Sequence, residues 1–169
     1  MKHIRRAGLE DIEYVLQHYR EVTQHMESCG IYQWDEVYPD RRILTEDIGK
    51  GNLYLFERSG HMAAAFVVNQ VFDPEYANGC WNAPDSSFAV LHRLSVNPSD
   101  QNQGLGKRML QCAEQLIRQK GYESIRLDAY ALNAAAVSLY ERAGYLKVGT
   151  AELRMGKFYL FEKILAMPC

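Results

Sequence analysis

The stretch Gln101-Asn102-Gln103-Gly104-Leu105-Gly106-Lys107-Arg108 stands between an apolar run and a helical period, and its surroundings decide how the chain folds. Before it, Phe88 to Val96 is almost continuously apolar, the pattern of a strand buried on both faces and so central in its sheet. Asn97-Pro98 ends that run, because proline donates no hydrogen bond to a ladder. After it, Leu105, Met109, Cys112, Ala113, Leu116 and Ile117 mark one face of a helix that Lys120-Gly121 stops. A glycine-bearing turn that opens a helix lets backbone approach a ligand closely. It also aims N–H groups and the positive end of the helix dipole outward, an arrangement suited to a pyrophosphate. Lys107 and Arg108 add charge there. Two commoner phosphate motifs fail: a Walker loop needs glycine at Gln101 and Ser or Thr at Arg108, and a dinucleotide fingerprint needs Gly or Ala at Met109. Taken alone, the turn reads equally well as a plain connection from strand to helix.

Outward from this unit the elements alternate in type, which predicts a mixed α/β fold. His3 to Ala7 is a short candidate strand, and Leu9, Ile12, Val15, Leu16, Tyr19, Val22 and Met26 form the stripe of an amphipathic helix stopped near Gly30. Ile31 to Pro39 is aromatic without either period and reads as a loop, followed by a short helix over Arg41 to Gly49. Asn52 to Arg58 and His61 to Gln70 flank Ser59-Gly60 as a hairpin. A long connection, Asp73 to Ser87, carries Trp81. Downstream, Ser124 to Ala129 is a strand, Asn133 to Ala143 a helix ended by Gly144, and Tyr145 to Gly149 and Lys157 to Leu165 are strands.

A chain of 169 residues has room for one domain, expected over residues 1–169. At 47% hydrophobic and 24% charged it buries enough apolar surface to fold. Nineteen basic against twenty-one acidic residues gives a formal charge of -2, so no global positive field attracts nucleic acid. The longest apolar run, Met62 to Val68, is too short to span a bilayer, and the N-terminal residues lack the apolar core of a signal peptide; the cytoplasm is the expected compartment. Cys29, Cys80, Cys112 and Cys169 are scattered, which predicts free, mostly buried thiols with no metal site and no disulfide framework.

Gln101-x-x-Gly104-x-Gly106 resembles the Gln/Arg-x-x-Gly-x-Gly/Ala signature of the GNAT superfamily of acetyl-CoA-dependent N-acetyltransferases. Asn133-x-x-Ala136-x-x-x-Tyr140-x-x-x-Gly144-Tyr145 is similar to that family's second motif, with Tyr145 where Phe is more usual. The resemblance implies a central mixed sheet of about seven strands with helices on both faces, and acetyl-CoA as cofactor. By the family's pattern Leu94, Ser95 and Val96 offer main-chain groups to the pantetheine arm, as to an added strand, and Gln101, Asn102, Gln103, Gly104, Leu105, Gly106 and Lys107 wrap the pyrophosphate. Asn133, Ala136 and Tyr140 contact the cofactor, and the Tyr140 phenol has a proton for the departing thiolate. The plainer readings are that Asn133 is a helix N-cap and Tyr140 a packing aromatic. Gln33-Trp34-Asp35-Glu36-x-Tyr38-Pro39 and His92-Arg93-Leu94 look like features of one bacterial subgroup.

Several relatives carry a glutamate on the strand before the turn, where this chain has Val90. His92, on the same strand face by alternation, is the nearest substitute as general base; Asp128 is another, and a water chain a third. Tyr32, Trp34 and Tyr38, with Trp81, are the expected substrate-binding residues, because aromatic faces beside Asp35 and Glu36 suit a cationic or apolar amine. The reading is therefore transfer of acetyl to a primary amine of a small molecule or peptide by a monomer or homodimer. An acyl-CoA-binding sensor without turnover is the alternative, and a nucleotide-binding module is disfavoured by the failed motifs.

Overall fold

The inner strands at Leu53–Arg58, His61–Asn69 and Phe88–Val96 follow from apolar runs bounded by turn formers. A computed structural model describes residues 4–165, so His3 and Cys169 lie outside it. The strands are β1 (Ile4–Arg6), β2 (Leu53–Arg58), β3 (His61–Asn69), β4 (Phe88–Val96), β5 (Ser124–Tyr130), β6 (Leu146–Leu153) and β7 (Gly156–Ile164). They form one mixed seven-stranded sheet in the order β1-β2-β3-β4-β5-β7-β6. β4, the apolar run, is central, and it pairs parallel with β5, while β1–β2, β2–β3, β5–β7 and β6–β7 are antiparallel. The helices are α1 (Ile12–Ser28), α2 (Arg41–Gly49), α3 (Leu105–Gln119) and α4 (Ala134–Arg142). Among the described residues no helix is long and apolar enough to cross a membrane.

The contacts fall into two compact units. One comprises the residues up to Val67 together with Arg93–Leu110, the other Val68–His92 together with the residues from Gln111 onward. In the first, Ser59 and Gly60 both take positive φ (50° and 81°), the conformation of a two-residue hairpin turn between β2 and β3. Val15, Tyr19, Val22 and Met26 of α1 are buried with Leu44 and Ile48 of α2 and Leu53 and Leu55 of β2 in one apolar cluster. In the second, Tyr76, Val90, Ala151 and Leu160 form a cluster against which Trp81 and Phe88 pack. There the Arg126 guanidinium lies between the Phe88 and Trp81 rings, 3.9 and 4.2 Å from their centroids, and donates to the Ala83 carbonyl at 3.1 Å. That side chain pins the connection between β3 and β4 to β5.

Three expectations change. Leu9 is exposed, because the chain opens with a 3-10 turn over Leu9–Asp11 and α1 begins only at Ile12. Cys29 and Cys80 are exposed and Cys112 half-buried, since Cys29 follows the end of α1 and Cys80 lies in a loop. β6 runs on to Leu153 and forms a hairpin with β7, so it is longer than the span expected over Tyr145 to Gly149.

His18 of α1 is buried between β3 and β4. Its Nδ1 is 3.2 Å from the Met62 carbonyl, which only accepts, so that nitrogen carries the proton and Nε2 accepts from the Ser95 hydroxyl at 2.9 Å. Burial pushes its pKa down to about 4. An unfolded histidine takes up its proton near pH 6.5, so this neutral ring contributes fully above that pH and its contribution is lost as the pH falls through about 4. Denaturant unfolding at pH 7 and pH 4 is expected to differ by up to about 3 kcal/mol from this group alone. Equal stability at the two values would contradict the assignment.

Candidate functional site

β4 and β5 are paired only over Phe88–Val90 and Ser124–Arg126, although β4 continues to Val96 and β5 to Tyr130. Within the unpaired part of β4, Arg93 has φ 51°, in the left-handed region that non-glycine residues avoid. Beyond Val96 the chain is tied down by its own side chains. Asn97 Oδ1 accepts from the Ser99 amide at 3.0 Å and caps the 3-10 turn Pro98–Asp100, while its Nδ2 donates to Glu21 at 2.9 Å. The buried Asp100 carboxylate accepts from His61 Nε2 at 2.5 Å, and Arg58 donates to Gln103 Oε1 at 2.8 Å. Burial would raise the Asp100 pKa, but the hydrogen bond from His61, a second from Ser99 and the Arg58 charge hold it below the ordinary carboxylate value.

The turn that follows is built for an anion. Gly104 has φ 75° and nothing within 4 Å of where a Cβ would sit, so its open face comes from glycine itself. Among the described residues, no backbone hydrogen bond takes the amides of 102–107. A cleft of about 500 Å³ beside them is lined by Phe56, Glu57, Arg58, Gln103, Gly104 and Arg108. Amides without a backbone partner, beside two guanidinium groups that outnumber the one carboxylate, fit a pyrophosphate. Asn102 and Lys107 are exposed, Leu105 is buried as the first core position of α3, and Gly106 is half-buried. The Gln101 side chain donates to the Val96 carbonyl at 3.2 Å, so that carbonyl is already engaged, and Ser95 turns its hydroxyl to His18. Leu94 is half-buried.

In the same unit the expected substrate loop divides. Tyr32 is exposed, whereas Trp34 is only 7% exposed and packs edge-on against Tyr19 at 5.5 Å. Trp34 is a core residue: the aromatic loop folds its largest ring inward, where burying it removes the most apolar surface from water. The Tyr38 hydroxyl accepts from Arg93 Nη1 at 2.6 Å, and the Arg93 guanidinium also meets the buried carboxylate of Asp47. Burial raises the Asp47 pKa and the Arg93 charge opposes that rise.

The other unit holds the remaining candidates. Asn133 caps α4, its Oδ1 accepting from the Ala136 amide at 3.1 Å, so those two groups serve each other. Tyr140 is buried beside Tyr145 (5.7 Å) and Phe161 (5.9 Å). Burial, and then the Asp128 charge, push its pKa up, so the phenol keeps its proton at neutral pH. Asp128 accepts from the Tyr76 hydroxyl at 2.7 Å. His92 Nε2 lies 2.9 Å from Asn69 Oδ1, an atom that also accepts from the Val71 amide and is therefore the oxygen. His92 then donates from Nε2. Trp81 is half-buried, its indole N–H given to the Tyr76 carbonyl at 3.0 Å. Sequence reading missed the work of Arg93, Asp47, His18 and Asp100. The signal available at Arg93 was a charged residue inside a mostly apolar strand.

A central strand that parts from β5 halfway is thus followed by a glycine turn whose amides take no backbone hydrogen bond. The chain belongs to the acetyltransferase (GNAT) family, whose pattern matches residues 16–145. It is 30% identical, over 93% of its length and 87% of the relative's, to the uncharacterized N-acetyltransferase YesJ of Bacillus subtilis. It is also 32% identical to the [ribosomal protein bS18]-alanine N-acetyltransferase of Escherichia coli, over 57% of each chain. The crystal structure of a GNAT-family acetyltransferase from Streptococcus agalactiae shares the fold with a TM-score of 0.84, covering 96% of this chain and 95% of that one at 23% identity.

Proposed function

We propose that the chain works as one acetyltransferase domain that moves the acetyl group of acetyl-CoA to a primary amine of a small molecule or peptide, by direct transfer in a ternary complex. The observation that carries this reading is the glycine turn whose amides take no backbone hydrogen bond, set after a strand that parts from β5 halfway. Acetyl-CoA, the family's acyl donor, supplies an activated thioester. Gln103 to Lys107 hold the pyrophosphate through main-chain N–H groups, with Arg58 and Arg108 beside them. Leu94 to Val96 pair with the amides of the pantetheine arm, and an N–H near Val96 donates to the acetyl oxygen. Tyr140 gives its proton to the sulfur. His92, Asp128 or a water chain takes the proton of the amine; the structure gives His92 a bond to Asn69 and Asp128 one from Tyr76. The E. coli relative is named for an alanine of ribosomal protein bS18, which supports including peptide amines among the acceptors.

Gly104→Val tests the turn. A β-branched residue at φ 75° is strained and closes the face the pyrophosphate must approach. Calorimetry is expected to show CoA binding weakened by at least about tenfold, roughly 1.4 kcal/mol. Unchanged affinity would remove the turn from the site. A second reading, an acyl-CoA-binding sensor with little turnover, is favoured by one observation: Val90, in the place of the usual glutamate, is apolar and fully buried.

A further inference from the structure

Among the described residues, only Ser59, Arg93 and Asn102 combine a side chain with positive φ. Ser59 lies in a hairpin turn and Asn102 in the glycine turn, whereas Arg93 lies inside a strand, where nothing local favours the conformation. Both ends of the residue are held. Its carbonyl accepts from the Tyr19 hydroxyl at 2.9 Å. Its side chain, 5% exposed, meets Asp47 of α2 and the Tyr38 hydroxyl, with the guanidinium carbon 5.6 Å from the centre of the Tyr38 ring. The Nε of this guanidinium is buried without a partner. A buried ion pair contributes little net stability, and an unmatched N–H lowers that further, so stability gives weak reason for an arginine here. What the pair fixes is geometry: φ at Arg93 sets the direction in which the next peptide groups, those of Leu94 to Val96, point.

We propose that Arg93 is a positioning residue for acetyl transfer. Gripped by Asp47 and Tyr38, it holds the left-handed turn in β4 that presents the main chain of Leu94–Val96 to the acyl-pantetheine arm, and it joins that strand to the aromatic loop Ile31 to Pro39. This rests on the acetyl-CoA reading above.

Hydrogen exchange with and without saturating CoA separates the two claims, because residues 101–108 report the pyrophosphate turn and residues 94–96 report the strand. In the wild type CoA is expected to slow exchange in both segments. The variant Arg93→Gly with Asp47→Asn removes both buried charges and tolerates positive φ. It is expected to lose at least about tenfold of the protection at 94–96 while keeping that at 101–108. Arg93→Lys with Asp47 intact retains the charge without the fork and falls between. Should the double variant not fold, Tyr38→Phe removes one acceptor and is expected to reduce protection at 94–96 alone by about threefold. Full protection of 94–96 in these variants, or parallel loss in both segments, overturns the proposal. If CoA protects neither segment of the wild type, the cofactor reading fails and the proposal falls with it.

Discussion

Trp34→Ala is expected to destabilise the protein by about 3–5 kcal/mol, the cost of emptying a buried aromatic site in a close-packed core. The ring is 7% exposed and meets Tyr19 edge to face, so its removal leaves a cavity beside the residue that holds the Arg93 carbonyl. Thermal unfolding reads the effect directly, as a fall in Tm of many degrees. An unchanged Tm with a raised KM for the amine would instead return Trp34 to the substrate site. Tyr32, on the same loop, is exposed instead.

Tyr140→Phe is expected to slow turnover by about 10–1000-fold, the range for losing a general acid and one positioned hydrogen bond. The substitution removes one hydroxyl and leaves the ring between Tyr145 and Phe161, so stability and CoA affinity are expected to change little. Steady-state kinetics with the best acceptor amine measures the difference. Turnover equal to wild type would make Tyr140 a packing residue of α4.

The parts of the fold legible in the sequence are those set by local periodicity. The β2–β3 hairpin, the central strand β4, the glycine turn and α3 each follow from neighbouring residues, as does the Asn133 cap, whose amide partner is three residues away. What periodicity does not carry is the direction of a side chain in an aperiodic loop. Trp34, Tyr32 and Tyr38 look alike in sequence, and only the position of Tyr19 on α1 and Arg93 on β4 decides which turns inward. The same holds for the polar core. Arg93 finds Asp47 and His18 finds Ser95 across long separations in the chain, pairings that no spacing rule encodes. Cys29 and Cys80 show the reverse error: the general tendency of free cysteine to be buried says nothing about a residue at a helix end or in a loop.

Transfer of acetyl from acetyl-CoA to an amine frees one thiol for each acetyl group moved, so release of free thiol from acetyl-CoA reads the reaction itself. The wild-type chain is assayed against a panel of a polyamine, free amino acids, an aminoglycoside and short peptides with open N-termini. At least one amine is expected to accelerate thiol release well above the amine-free rate and to be recovered carrying the acetyl group. Tight CoA binding with thiol release indifferent to every amine in the panel would contradict acetyl transfer and leave a protein that binds acyl-CoA without transferring the acyl group.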